Sequence, residues 1–132
     1  FLVMHRMRDD ADCAKLARSL SEQAVLDVDR NLREMGVGDL SVGRQVKSLT
    51  EGLYGRLGAY AEGIERTKGG LDAELRRNLF SEGQALDASV QAAESYMRRE
   101  TESLKTCDTA DLLAGCVRFG AGPVEGIENG GK

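Results

Sequence analysis

The chain has 132 residues, enough for one domain with a single core and too few for two. Aromatics make up 5%, tryptophan is absent, proline occurs once, and Ala, Leu, Glu, Arg and Gly are plentiful, a composition that favours helices. With 18 basic and 22 acidic residues and a pI near 5.1, the balance argues against a general polyanion binder and leaves room only for a local basic patch.

Taken in chain order, Phe1 to Met7 reads as the last turns of a helix that begins upstream, because FLVMHRMR opens apolar without an N-cap. Asp9, Asp10 and Asp12 supply anionic starts for a second helix expected from about Ala11 to Met35. Cys13, Leu16, Ala17, Leu20, Ala24, Val28, Leu32 and Met35 recur mostly at three and four and form its buried face. Gly36 and Gly38 then end it.

A third helix is expected from Ser41 to Arg66, with Asp39 or Ser41 accepting hydrogen bonds from its first N–H groups. Val42, Val46, Leu49, Leu53, Leu57, Tyr60 and Ile64 make the most regular apolar stripe in the chain. Burying these side chains contributes on the order of 10 kcal/mol or more. Ordering about 25 residues costs more than that, at ~1 to 2 kcal/mol each, so the helix depends on neighbours.

Gly69 and Gly70 interrupt the pattern before a shorter helix over Leu71 to Phe80. Ser81 or Glu82 restarts a fifth helix reaching about Lys105, with Leu86, Val90, Ala93, Met97 and Leu104 on its buried side. Asp108 or Thr109 caps a last helical piece through Leu112, Leu113 and Val117. From Gly120 onward GAGPVEGIENGGK is too rich in glycine to pack and reads as a flexible tail.

Residues with chemistry to offer are few. His5, the one histidine, has no second member for a catalytic or metal cluster and reads as a satisfied helix residue. Cys13, Cys107 and Cys116 are odd in number and match neither a disulfide framework nor a CxxC site, so they read as reduced thiols. The glycines do not follow a strand in a phosphate-cradling order. No run approaches the ~18 apolar residues of a membrane span, so any membrane association is expected to be peripheral.

Helical phase places Gly55 and Gly58 opposite the leucine stripe of the third helix, together with Arg44, Lys47, Glu51 and Glu62. Interior glycines cost ~0.5 to 1 kcal/mol each relative to alanine. Either this second face lets a partner backbone approach closely, or another helix of the same domain packs there, or the glycines are merely tolerated. Arg56 sits at the edge of the stripe, where it pairs with Asp39 or a glutamate, or meets a client. Arg30, Arg33, Arg44 and Lys47 flank the MGVGDLSVG turn, interleaved with Asp27, Asp29, Glu34, Asp39 and Glu51 in the manner of a solvated face.

Here the wording becomes specific. Asp29, Leu32, Arg33, Glu34, Met35, Gly36, Val37, Gly38 and Asp39, then Val42, Gly43, Val46 and Lys47, then Glu51, Tyr54, Gly55 and Arg56 resemble the ubiquinol-cytochrome c chaperone family. Further agreement lies in Arg77, Asn78 and Leu79, in Tyr96, Arg98 and Arg99, and in Leu112 to Phe119. Gln45 and Ser48 depart from the pattern where basic residues are expected, as does Leu53 where an aromatic often stands. The family pattern begins upstream of Phe1, so a first helix is expected to be missing.

The resemblance implies a single compact all-α bundle of about five or six helices over residues 1–119, with 120–132 as tail. It implies a non-enzymatic assembly chaperone that binds newly synthesised cytochrome b for respiratory complex III, without a cofactor. Partners would be nascent cytochrome b, the ribosome near the tunnel exit and a second assembly factor. The place would be the cytoplasmic face of the bacterial inner membrane, or the matrix side in a eukaryote. Expected partner-binding residues are Arg33, Asp39, Arg44, Lys47, Tyr54, Gly55 and Arg56. Arg33, Asp39 and Lys47 would orient the client by charge, while Tyr54 and Gly55 would form a flat contact. The alternative is a ribosome- or RNA-docking adaptor using the cations around the turn.

Overall fold

The structure, a computed structural model, describes residues 1–66, 70–80 and 86–123. Helices account for most of them: α1 (Leu2–Met7), a 3-10 turn (Ala11–Cys13), α2 (Ala14–Glu34), α3 (Asp39–Glu65), α4 (Leu71–Asn78), α5 (Asp87–Lys105) and α6 (Thr109–Leu113). Among the described residues there is no strand, and the expected all-α bundle of six helices is what forms.

Asp10 starts the second helical stretch as expected, accepting the N–H groups of Asp12 and Cys13. The same carboxylate accepts from Arg6 at 3.2 Å and from the Thr109 hydroxyl at 2.6 Å, so one side chain ties α1, the 3-10 turn and α6 together. Around it Met7, Cys13 and Leu112 form one small core, with Val3, Leu16, Ala17, Cys107 and Val117 against it. A second core lies between α4, α5 and the last turns of α3: Leu71, Leu75, Val90 and Ala93, with Tyr60, Ile64, Phe80 and Met97.

The long helices are held at their carbonyl ends by arginines. Four C=O groups at a helix C-terminus lack intrahelical partners, and the dipole there favours a cation. Arg98 of α5 donates to the carbonyls of Gly63, Ile64 and Arg66 at 3.1 to 3.3 Å, and Glu94 fixes its other edge at 2.9 Å. Arg6 of α1 does the same for α5, donating to the carbonyls of Leu104 and Cys107. At Gly63 the backbones of α3 and α4 meet: a Cβ there would stand 2.9 Å from Leu71 Cα and 3.0 Å from Leu71 N.

α2 and α3 form a hairpin that runs past both cores. Only the first turns of α2 and the last turns of α3 join them, and between them the buried side chains among the described residues are Leu32 and Val42. The turn follows helix-ending chemistry: Gly36 takes φ of 85°, Val37 N–H reaches Leu32 O and Gly36 N–H reaches Arg33 O. Gly38 is not part of the stop. It is the N-cap of α3, in extended conformation.

Several expectations are corrected. Neither Asp39 nor Ser41 caps α3; Asp39 turns to Arg33, and the Ser41 hydroxyl donates to Gly38 O. Met35 and Leu20, expected in the buried face of α2, are 80% and 41% exposed, because among the described residues neither core extends along them. Leu49 of α3 is 45% exposed, and Leu86 precedes α5 instead of lining its buried face. The expected helix restart at Ser81 or Glu82 and most of the expected tail lie outside the described residues. Gly120, where that tail was expected to begin, donates its N–H to Glu100 at 2.9 Å.

Glu100 is 1% exposed, and the Gly120 N–H and the Arg99 guanidinium hold its carboxyl below the usual carboxylate range. Asp10 is depressed too, first by the Thr109 hydroxyl and then by Arg6. His5 is lowered from 6.5 by burial, with the Arg8 charge adding to it. For all three the unfolded chain binds more protons as pH falls, so each contributes stability at neutral pH that is lost on acidification. The loss should come in two stages, His5 below its ordinary value and the carboxylates lower still. In denaturant titrations across pH, His5→Gln should flatten the upper stage and Glu100→Gln the lower. The glycines give a second check: Gly58→Ala should stabilise the protein by about 0.5 to 1 kcal/mol, whereas Gly63→Ala should cost about 1 to 3 kcal/mol.

Candidate partner-binding flank of the hairpin

Helical phase sets Leu40, Arg44, Lys47, Glu51, Tyr54, Gly55, Gly58 and Glu62 along one side of α3, turned away from the α2 seam. All eight are exposed. A Cβ added at Gly55 or Gly58 would meet nothing within 4 Å. Of the two uses considered for this face, packing by another helix of the domain is therefore not found among the described residues. The flank is open.

Its middle is a shallow depression of about 320 Å³. Tyr54, Gly55, Gly58 and Ala59 form its floor and one wall, and Glu62, Arg66 and Glu74 close it toward α4. Tyr54 is 49% exposed, so its ring is available as a flat apolar edge. Two to three turns nearer the hairpin apex stand Arg44, which is exposed, and Lys47, whose Nζ makes a loose, solvated pair with Glu51 at 3.9 Å. The flank thus runs from cations at one end, through an aromatic and glycine floor, to carboxylates at the other.

The seven expected residues divide in three. Arg44, Lys47, Tyr54 and Gly55 share this flank. Arg33 and Asp39 do not; they pair with each other at 2.7 Å, Arg33 also holding Asp29 at 2.8 Å, and so brace the turn from α2 to α3. Arg56 points to a different side, its guanidinium lying back over Gly52, and the considered pair with Asp39 does not form. Two residues escaped the sequence reading. Leu40 is fully exposed, and Gly63 is the glycine whose absence of a side chain the packing requires. A leucine falling out of phase with the Val42 to Ile64 stripe was the available sign of the first. Nothing local marks the second.

A larger depression, about 650 Å³, lies between α1, the end of α3 and α5, bordered by His5, Arg8, Glu65, Arg98 and Lys105. Its charges are mutually satisfied: Arg8 pairs with Glu65, Lys105 with Glu102, and Arg98 with Glu94. Among the described residues no three His, Cys, Asp or Glu side chains are placed to share a metal ion. No described helix is long and apolar enough to cross a membrane.

Comparison with known proteins gives the family of the chain. The chain is 26% identical over 114 residues to the ubiquinol-cytochrome-c reductase complex assembly factor 1 of Xenopus laevis, covering 86% of this chain. It spans 57% of the length of that frog protein. The crystal structure of the Cbp3 homolog from Brucella abortus superposes with a TM-score of 0.80 at 28% identity, over 92% of this chain and 67% of the other. Residues 1–119, covering every helix described above, match the pattern of the ubiquinol-cytochrome C chaperone family, and the chain belongs to that family.

Proposed function

We propose that this chain acts as a non-enzymatic assembly chaperone for respiratory complex III, and that its client is newly made cytochrome b, received along the open flank of α3. The observation that carries the reading is the pair Gly55 and Gly58, which cost helix stability and fill no packing need among the described residues. A client helix laid there approaches backbone to backbone, gaining dispersion contacts that a side chain would prevent. Tyr54 offers an apolar edge beside it. Arg44 and Lys47 at one end and Glu62 at the other give the flank a direction, so that a client of opposite pattern is preferred in one orientation. Family membership and the name of the frog relative support the complex III setting. Its place of action is the membrane face on which cytochrome b is made, cytoplasmic in a bacterium and matrix-side in a mitochondrion.

Such a chaperone works by holding: an apolar client segment shielded on a folded surface is less available to aggregate before it enters lipid. No bond is made or broken, and release is set by competition with the client's own packing partners.

The test uses the sign of two effects. Gly55→Leu with Gly58→Leu should raise thermal stability, since leucine is a better helix former than glycine and the sites are open. The same double variant should lower crosslinking to nascent cytochrome b on the order of tenfold, because the floor is now raised by two side chains. Arg44→Glu with Lys47→Glu should lower capture without unfolding the protein. Capture that is unchanged in both variants would remove the flank from the mechanism.

A further inference from the structure

We infer that residues 118–121 form a hinged strap, latched by Glu100 and Arg99 of α5, that covers an apolar groove with Phe119 and opens while the helical body stays folded.

Glu100 is 1% exposed, and a carboxylate taken out of water is costly unless its oxygens are met. Here they are met from two places. Oε1 accepts from the Arg99 guanidinium at 2.9 Å, and Oε2 accepts the Gly120 N–H at 2.9 Å. Gly120 lies so close over the carboxylate that a Cβ on it would stand 2.9 Å from Oε1. The Arg99 guanidinium reaches on to the Ala121 carbonyl and lies 5.3 Å over the Tyr96 ring. One buried anion and one half-exposed cation thus hold the strap on α5.

The rest of the strap is held loosely. After the Cys116 N–H, which bonds back to Asp111 O at the end of α6, no backbone-to-backbone hydrogen bond among the described residues involves residues 117–121. Val117 is seated against the core of Met7, Cys13 and Leu112, which fixes the root of the strap. Beyond it Arg118, Phe119, Gly120 and Ala121 are all exposed. A segment with few buried contacts and with water beside its hydrogen bonds opens at far lower free energy than the helices it lies on. Opening is also compensated at Glu100, because the carboxylate that loses the Gly120 N–H gains water in its place.

Phe119 shows what the strap covers. Its ring, 47% exposed, forms one wall of a groove of about 330 Å³ whose other walls include Val3, Tyr60, Leu75, Leu79 and Met97. Leu75 belongs to the core between α3, α4 and α5, and Tyr60 and Met97 pack at its margin. Lifting the strap takes Phe119 from these side chains and opens the groove to water, while the helices beneath keep their own contacts. The occupant of the groove in the closed molecule is this chain's own Phe119.

The latch is read at single residues, with no client present. In amide exchange the Gly120 N–H should be slowed about tenfold or more relative to an unstructured peptide, yet exchange about a hundredfold faster than the Leu104 N–H of α5. Low denaturant that speeds exchange at Leu104 should leave Gly120 unchanged, because strap opening exposes little surface. Protection at position 120 should fall about tenfold in Glu100→Gln and in Gly120→Ala, the second of which leaves α5 as it is. The chain has no tryptophan, so Phe119→Trp supplies a unique reporter. Adding Gly120→Ala to it should shift the emission to the red and raise acrylamide quenching about twofold, with the helical circular dichroism unchanged. Gly120→Ala alone should bind several-fold more anilinonaphthalene sulfonate, a dye for apolar surface. Arg118→Ala, at an exposed neighbour, should do none of this. Exchange at Gly120 as slow as at Leu104 overturns the proposal, since strap and body are then one unit, and exchange as fast as in a free peptide overturns it by removing the latch. So does a reporter in Phe119→Trp that stays shielded when Gly120→Ala is added, or opening that brings no added dye binding.

Discussion

The three hydrogen bonds from Arg98 to the carbonyl end of α3 set the terms for the rest of the molecule. A helix of 27 residues has a strong dipole and four carbonyls without partners at its C-terminus. Arg98 satisfies three carbonyls in that region from the neighbouring helix, and Glu94 balances the charge. Gly63, whose carbonyl is one of the three, also lets α4 come to backbone contact. With its last turns fixed in this way, α3 extends outward and needs only α2 along one side for the remainder of its length.

That one-sided support explains why the hairpin shows so much apolar surface for a helical domain. Two small cores carry the body, one centred on Leu71, Leu75 and Val90 and the other on Met7, Cys13 and Leu112. Neither reaches the apex. There, Leu32 and Val42 are the buried contacts, and the turn is stiffened by a bridge from Arg33 to Asp29 and Asp39. This bridge is exposed, so its value is small in free energy. Its effect is geometric: it joins the last turn of α2 to the first of α3.

The glycines of α3 separate by what surrounds them. Gly63 is required by contact, whereas Gly55 and Gly58 meet open space. A folding argument accounts for the first and leaves the other two as a cost without a structural return. Costs of that kind point to function when they gather on one face beside an exposed aromatic, as they do next to Tyr54.

By itself the sequence determined that the chain is helical, roughly where its helices begin and end, and to which family it belongs. Period and punctuation are local quantities: the stop at Gly36, the start at Asp10 and the stripe from Val42 to Ile64 are set by neighbours three or four residues away. Burial is not local. Met35, Leu20 and Leu49 carry the right phase for a core, yet they are 80%, 41% and 45% exposed, because among the described residues neither core extends along them. Pairing is not local either, since Asp39 chose Arg33 over Arg56, and Arg6 and Arg98 found carbonyls from 32 to 101 residues away. Only the tertiary structure decided which flank of α3 stays open, because that depends on where the other helices stop.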